Sequence, residues 1–118
     1  TAFSLRKPYA PARMLLEAGL PLALATDFNP GSCPTANLVL VMSLACLYMA
    51  VTPEEAFNAV TINAAHSLNR CKRLGSLEPG KQADLVIFAV DDYRKIPYYV
   101  GVNLVEKVVK AGRLVVSN

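Results

Sequence analysis

Long hydrophobic runs are missing from this chain. The longest, Leu38 to Val51 (LVLVMSLACLYMAV), is broken by Ser43 and falls short of the roughly 18 residues that a membrane span needs. The sequence therefore predicts a helix buried on all sides within a large protein, and no membrane as partner. Charge is scarce as well: charged residues make up 18%, twelve basic and nine acidic, for a net charge of +3. The only tight basic group, Arg70-Cys71-Lys72-Arg73, reads as a solvated helix end. Without basic residues interleaved with aromatics, nucleic acid is excluded as a partner. The cysteines, Cys33, Cys46 and Cys71, are odd in number, far apart and never spaced C-x-x-C. That spacing excludes a cysteine zinc site and suits reduced thiols in the cytosol. Repeats and low-complexity segments are absent. The opening residues, Thr1-Ala2-Phe3-Ser4-Leu5, show no signal-peptide pattern and no initiator methionine, so the chain reads as a piece of something larger.

What is present is apolar: 53% of 118 residues. That length fits one domain, and a chain so short buries only about two thirds of its unfolded surface. The surplus points to missing partners. Pro8 to Gly19 reads as a helix, with Gly19 suited to the left-handed stop position. Leu20 to Thr26, short and apolar on both faces, reads as a buried parallel strand. A loop from Asp27 to Pro34 leads into the apolar helix, expected from about Thr35 to Met49. Thr52-Pro53-Glu54-Glu55 carries a capping box, followed by Phe57, Val60, Ala64 and Leu68 as the expected apolar face. After a turn at Leu77 to Lys81, strands are expected at Asp84–Val90, Val105–Lys110 and Arg113–Ser117, the last two forming a hairpin through Ala111-Gly112. The fold class is α/β: residues 1–74 as the last strand and helices of a (β/α)8 barrel, residues 75–118 as strands of a small separate sheet. One parallel strand makes no sheet, so its neighbours are expected from sequence outside this chain.

The stretch ATDFNPGSCPT, residues 25–35, drives an apolar strand straight into Asp27 and then into a run of small, turn-forming residues. A carboxylate there is costly unless paired or bound to metal. Either Asp27 caps its loop, as Asp often does, or it stands at the rim of an active site, since barrel enzymes place their chemistry where strands end. Asn29 adds an amide, and Pro30-Gly31-Ser32 adds a tight turn with backbone N–H groups and a hydroxyl.

Gly75-Ser76-Leu77-Glu78-Pro79-Gly80-Lys81-Gln82-Ala83-Asp84-Leu85-Val86-Ile87 resembles the G-x-[IL]-x-x-G-x-x-A-D-[IL]-V segment of the amidohydrolase superfamily. Thr61-Ile62-Asn63-Ala64-Ala65 is similar to its T-x-N-x-A segment, and Lys110 to Val115 to its closing hairpin. Within the superfamily, Ala23 to Ser32 closely resembles the eighth-strand loop of the imidazolonepropionase family, and Ala12–Gly19 and Pro97–Asn103 fit the same family. The resemblance implies a metal-dependent barrel whose C-terminal strands join a composite β-sandwich. It implies hydrolysis of the cyclic amide of 4-imidazolone-5-propanoate to N-formimidoyl-L-glutamate in histidine degradation. It makes Asp27 the catalytic aspartate and a ligand of one divalent metal, Zn or Fe, and it makes Asn29, Gly31 and Ser32 contacts to the small-molecule substrate. Histidine ligands, an H-x-H pair among them, are expected upstream, since this chain holds only His66, read as a surface or packing residue. The remainder of the same polypeptide, a homodimer and a cytoplasmic location are implied with them, and the piece alone is expected to be inactive. The alternatives are another cyclic amidohydrolase or deaminase of the superfamily, or a non-catalytic fragment.

Overall fold

Helices dominate the chain up to Ser67 and an antiparallel sheet occupies its end in the computed structural model, which describes residues 1–118. A short helix, α1 (Ala2–Leu5), precedes α2 (Ala12–Glu17). The helix expected from Pro8 is thus shorter than its sequence pattern. Pro8 and Pro11 push the residues before them out of the helical region, so winding starts only after the second proline. Its end is a Schellman stop: Gly19 has φ 76°, its N–H donates to the Leu16 carbonyl at 2.9 Å, and the Leu20 N–H donates to the Leu15 carbonyl at 3.0 Å.

The apolar helix α3 spans Leu38–Tyr48. It begins three residues later than expected because Asn37 caps it, accepting from the Leu40 N–H at 3.0 Å. Burial on all sides is the expectation within a larger protein; within this chain Met42, Ser43 and Ala45 are buried, while Leu47 and Tyr48 are 64% and 58% exposed. The chain supplies packing for only one face. The buried Ser43 hydroxyl is satisfied by the Val39 carbonyl at 3.1 Å.

The capping box forms as read. The Thr52 hydroxyl accepts from the Glu55 N–H at 3.3 Å, the Glu55 carboxylate accepts from the Thr52 N–H at 2.8 Å, and α4 runs Pro53–Val60. The apolar spacing then continues through Thr61, but the helix does not. Thr61 sits at φ −117°, ψ −95°, with its hydroxyl bonded to the Phe57 carbonyl at 2.5 Å, and a new helix, α5 (Ile62–Ser67), follows. The buried positions are accordingly Ala56, Ala59 and Ala65, and Leu68 is exposed.

Leu20 to Thr26 is extended but pairs with no strand of this chain. A strand needs a neighbour to complete its hydrogen bonds, and the chain offers none beside it. Burial nonetheless alternates with the period of two of an extended chain: Leu22, Leu24 and Thr26 are half-buried, and Pro21, Ala23 and Ala25 are exposed. The inner side packs on the core of Ala12, Met42, Ala45, Val51 and Ala56. Two bonds fix it to the helices, Leu24 N–H to the Ala59 carbonyl at 3.0 Å and Asn63 Nδ2 to the Leu22 carbonyl at 2.9 Å.

The three expected late strands are present as β1 (Leu85–Phe88), β2 (Val105–Lys110) and β3 (Arg113–Ser117), in the order β1-β2-β3 and antiparallel throughout. Ala111 and Gly112 both have positive φ, 49° and 77°, as a two-residue type I′ hairpin requires. Rows of Val86, Val108 and Val116, and of Leu85, Val109 and Leu114, run across the sheet. Between β1 and β2, a short helix not foreseen from the sequence, α6 (Lys95–Tyr98), returns to pack on α3 and buries Ile96 and Pro97. No helix is long and apolar enough to cross a membrane.

Candidate functional site

The extended segment 20–26 ends where Asp27 turns the chain. Asp27 has φ 52°, in the left-handed region that Asp and Asn enter more readily than other residues with a Cβ. Behind it the loop closes on itself. The Asn29 N–H donates to the Cys33 carbonyl at 2.9 Å, and the Cys33 N–H returns to the Asn29 carbonyl at 3.2 Å. Inside this bridge the Asn29 side chain organises the turn. Its Oδ1 accepts from the Gly31 N–H at 3.0 Å and the Ser32 N–H at 2.7 Å. Its Nδ2 donates to the Asp27 carbonyl at 2.7 Å and to Ser32 Oγ at 3.1 Å.

Asp27, Asn29, Gly31 and Ser32 are therefore brought together in one turn at the end of segment 20–26. Asp27 and Gly31 are exposed, and Asn29 and Ser32 are half-buried. The late sheet is formed without any residue of this segment. Cys33 is buried, with its thiol against the Thr26 carbonyl at 2.8 Å, which makes it part of the loop's framework. His66 is exposed on α5. Sequence reasoning missed Thr1. Its hydroxyl donates to Asp27 Oδ2 and lies 3.1 Å from Ser32 Oγ. No spacing rule could have found a lone threonine 26 residues upstream.

The Asp27 carboxylate takes part in none of the chain's six ion pairs. It is thus an accessible oxygen donor with no competing cation, which fits one ligand position of a hard or borderline divalent ion. No group of three or more His, Cys, Asp or Glu side chains comes together in the chain, so the remaining ligands of such an ion are not supplied by these residues. Chemically, the arrangement offers one carboxylate able to hold a water or a metal, beside a hydroxyl able to hold a polar ligand.

Residues 2–115 match the amidohydrolase family. The chain is 60% identical over 118 residues to the imidazolonepropionase of Geobacillus kaustophilus strain HTA426, with 100% of this chain and 28% of that enzyme covered. It thus spans little more than a quarter of the length of the curated relatives it matches. Among solved structures, an adenosine deaminase from Xanthomonas campestris with bound zinc is similar over 96% of this chain and 29% of its own, with TM-score 0.85 and 25% identity. A mutant atrazine chlorohydrolase from Arthrobacter aurescens TC1, complexed with zinc and atraton, is similar over 99% of this chain and 30% of its own, with TM-score 0.82 and 25% identity.

Proposed function

The chain belongs to the amidohydrolase family, and on that premise we propose that the polypeptide to which it contributes opens the cyclic amide of 4-imidazolone-5-propanoate, giving N-formimidoyl-L-glutamate in histidine degradation. The observation that carries this reading is the 60% identity across the whole chain to an imidazolonepropionase. The fold does not select the substrate, because a deaminase and a chlorohydrolase share it at 25% identity.

In this reading residues 1–74 are the last strand and helices of a (β/α)8 barrel, and residues 75–118 are strands of a composite β-sandwich. The remainder of the same polypeptide, upstream, completes both and brings the histidine ligands. Asp27 would be one ligand of a divalent metal, Zn or Fe, which when bound would supply a water of lowered pKa and a Lewis acid for the ring carbonyl. The chain's own residues do the rest. Asp27 orients the attacking water and accepts its proton as the new C–O bond forms. That proton is then available to the ring nitrogen as the C–N bond breaks. Asn29 keeps the turn in shape with both ends of its amide. Gly31 leaves the turn open to a close approach, and the Ser32 hydroxyl holds a polar group of the substrate. A cytosolic homodimer follows from the same family resemblance, and the three unpaired cysteines suit the cytosol.

The test is turnover by the complete, metal-loaded polypeptide. Imidazolone-propanoate should be consumed, with N-formimidoyl-L-glutamate as product. An enzyme that leaves this substrate untouched while deaminating purines or dechlorinating triazines would overturn the assignment.

A further inference from the structure

We propose that Thr1 is a positioning residue of this site: its hydroxyl holds the Asp27 carboxylate in one orientation and ties it to the Ser32 hydroxyl. The inference rests on the roles of Asp27 and Ser32 proposed above.

Thr1 occupies the N-cap of α1, where a threonine hydroxyl ordinarily accepts a backbone N–H, yet it makes no capping bond. It is turned instead toward the loop, donating to Asp27 Oδ2. The direction of the other bonds follows from counting hydrogens. Asn29 Oδ1 already accepts two backbone N–H groups, from Gly31 and Ser32. Both hydrogens of Asn29 Nδ2 are committed, to the Asp27 carbonyl and to Ser32 Oγ. The Ser32 hydrogen has two acceptors within reach, Thr1 Oγ1 at 3.1 Å and Asn29 Oδ1 at 3.2 Å. Because the Thr1 hydrogen is committed to Asp27, Ser32 is the donor whenever the two hydroxyls bond. With the Ser32 hydroxyl turned to Thr1, donors run from Asn29 through Ser32 and Thr1 to Asp27, and each bond polarises the next.

The backbone at Asp27 fixes where its Cβ points, but the terminal torsion of an aspartate is soft. One hydrogen bond therefore decides how the carboxylate faces. With Oδ2 held by Thr1, Oδ1 is the oxygen presented to a metal or a water. A substrate group engaging Ser32 acts on Asp27 through the same hydroxyl.

The experiment compares Thr1→Val and Thr1→Ser in the complete polypeptide. Valine keeps the branched shape and removes the hydroxyl, and serine keeps the hydroxyl. A hydrogen bond to a charged group sets the expected effect: kcat of Thr1→Val falls roughly tenfold to a hundredfold with KM within about threefold. Its bound metal should also pass to a competing chelator faster than wild type in the absence of substrate. Thr1→Ser should restore both to within about threefold. Wild-type kcat and metal retention in Thr1→Val would overturn the proposal, and so would a Thr1→Ser enzyme as impaired as Thr1→Val. If the wild-type enzyme does not turn over imidazolone-propanoate, the substrate assignment fails alone, because chelator competition still reads the coupling of Thr1 to Asp27.

Discussion

Asp27 and Gly75 both have positive φ, 52° and 95°, and each gives a sharp test. At Asp27 the left-handed backbone accepts Asn at no greater cost than Asp, so Asp27→Asn removes charge without disturbing the turn. If Asp27 is the proton acceptor, the variant should lose turnover by about 10²–10⁴-fold even with metal in excess. A capping aspartate would be mild in the same substitution. Ser32→Ala should mainly raise KM, by about tenfold or less for one neutral hydrogen bond. Asn29→Ala should fall between, because the Asn29 side chain takes part in five hydrogen bonds that shape the loop. Steady-state kinetics on the metal-loaded variants checks the order, and an Asp27→Asn enzyme within about tenfold of wild type would defeat the catalytic reading. At Gly75 a Cβ would lie 2.7 Å from Ala65 Cβ and 3.0 Å from Ile62 Cα. Gly75→Ala should therefore destabilise by about 1–3 kcal/mol or more from overpacking, with positive φ adding to it, seen as a lowered denaturant midpoint. Asp27 to Ser32 was legible because turn chemistry lies in contiguous residues. Thr1 was not, because its contact is tertiary. The first glycine of its motif was visible, but its reason, the close passage of α5, was not.

Among elements, the hairpin β2–β3 was the most legible, since a two-residue turn must contain residues that tolerate positive φ. What braces it was not. Asp84 accepts from Lys110 Nζ, from the Ala111 N–H at 2.7 Å, and from Gln82 Nε2 at 2.9 Å and 3.0 Å. The Gly112 N–H meanwhile donates to the Ala83 carbonyl at 2.9 Å. The Ala83-Asp84 pair thus clasps the turn from the neighbouring strand. These bonds, Lys110 first, then the Ala111 amide and Gln82, lower the Asp84 pKa from 3.8 to about 2. A folded pKa below the unfolded one contributes stability that is fully present above the unfolded value and lost as pH falls through the folded value. The contribution of Asp84 should therefore hold above pH 4 and fade between about pH 4 and 2. Asp84→Asn should flatten that part of the stability profile while leaving the neutral-pH hairpin formed. Denaturant unfolding at a series of pH values on both proteins checks it, and parallel acid limbs would show that Asp84 carries no linkage. The extended segment 20–26 was legible as extended chain, while its pairing is not seen within these residues. Its pattern anticipates hydrogen-bonding neighbours that the chain does not provide. The break at Thr61 was missed because apolar spacing says nothing of a hydroxyl returning to the carbonyl four residues back.

At the scale of the whole molecule, the apolar surplus in the composition becomes surface. A folded monomer of 12.7 kDa should expose about 6,200 Å² by the usual scaling of surface with mass, but this chain exposes 7913 Å². Its radius of gyration, 14.7 Å, exceeds the roughly 13.5 Å expected for its length. The excess is spread along the chain. Leu77 is 74% exposed, Leu114 and Val115 are each 58% exposed on β3, and Leu47 is 64% exposed on α3. The fully buried positions are mostly alanines where α2, α3 and α4 meet, and such small side chains contribute little burial each. Composition announced the surplus, but only the fold shows which apolar residues stay uncovered, on the sheet, on α3 and in the segments between them. The isolated 118-residue chain should therefore bind a hydrophobic dye such as ANS, associate as its concentration rises, and melt without a sharp transition. The complete polypeptide should do none of these. Dye fluorescence, sedimentation velocity and thermal unfolding on the two proteins decide it. A dye-silent monomer that melts cooperatively would mean that the alanine-lined core suffices. In that case the two apolar rows across the sheet would be tolerated in water with no layer packed on them.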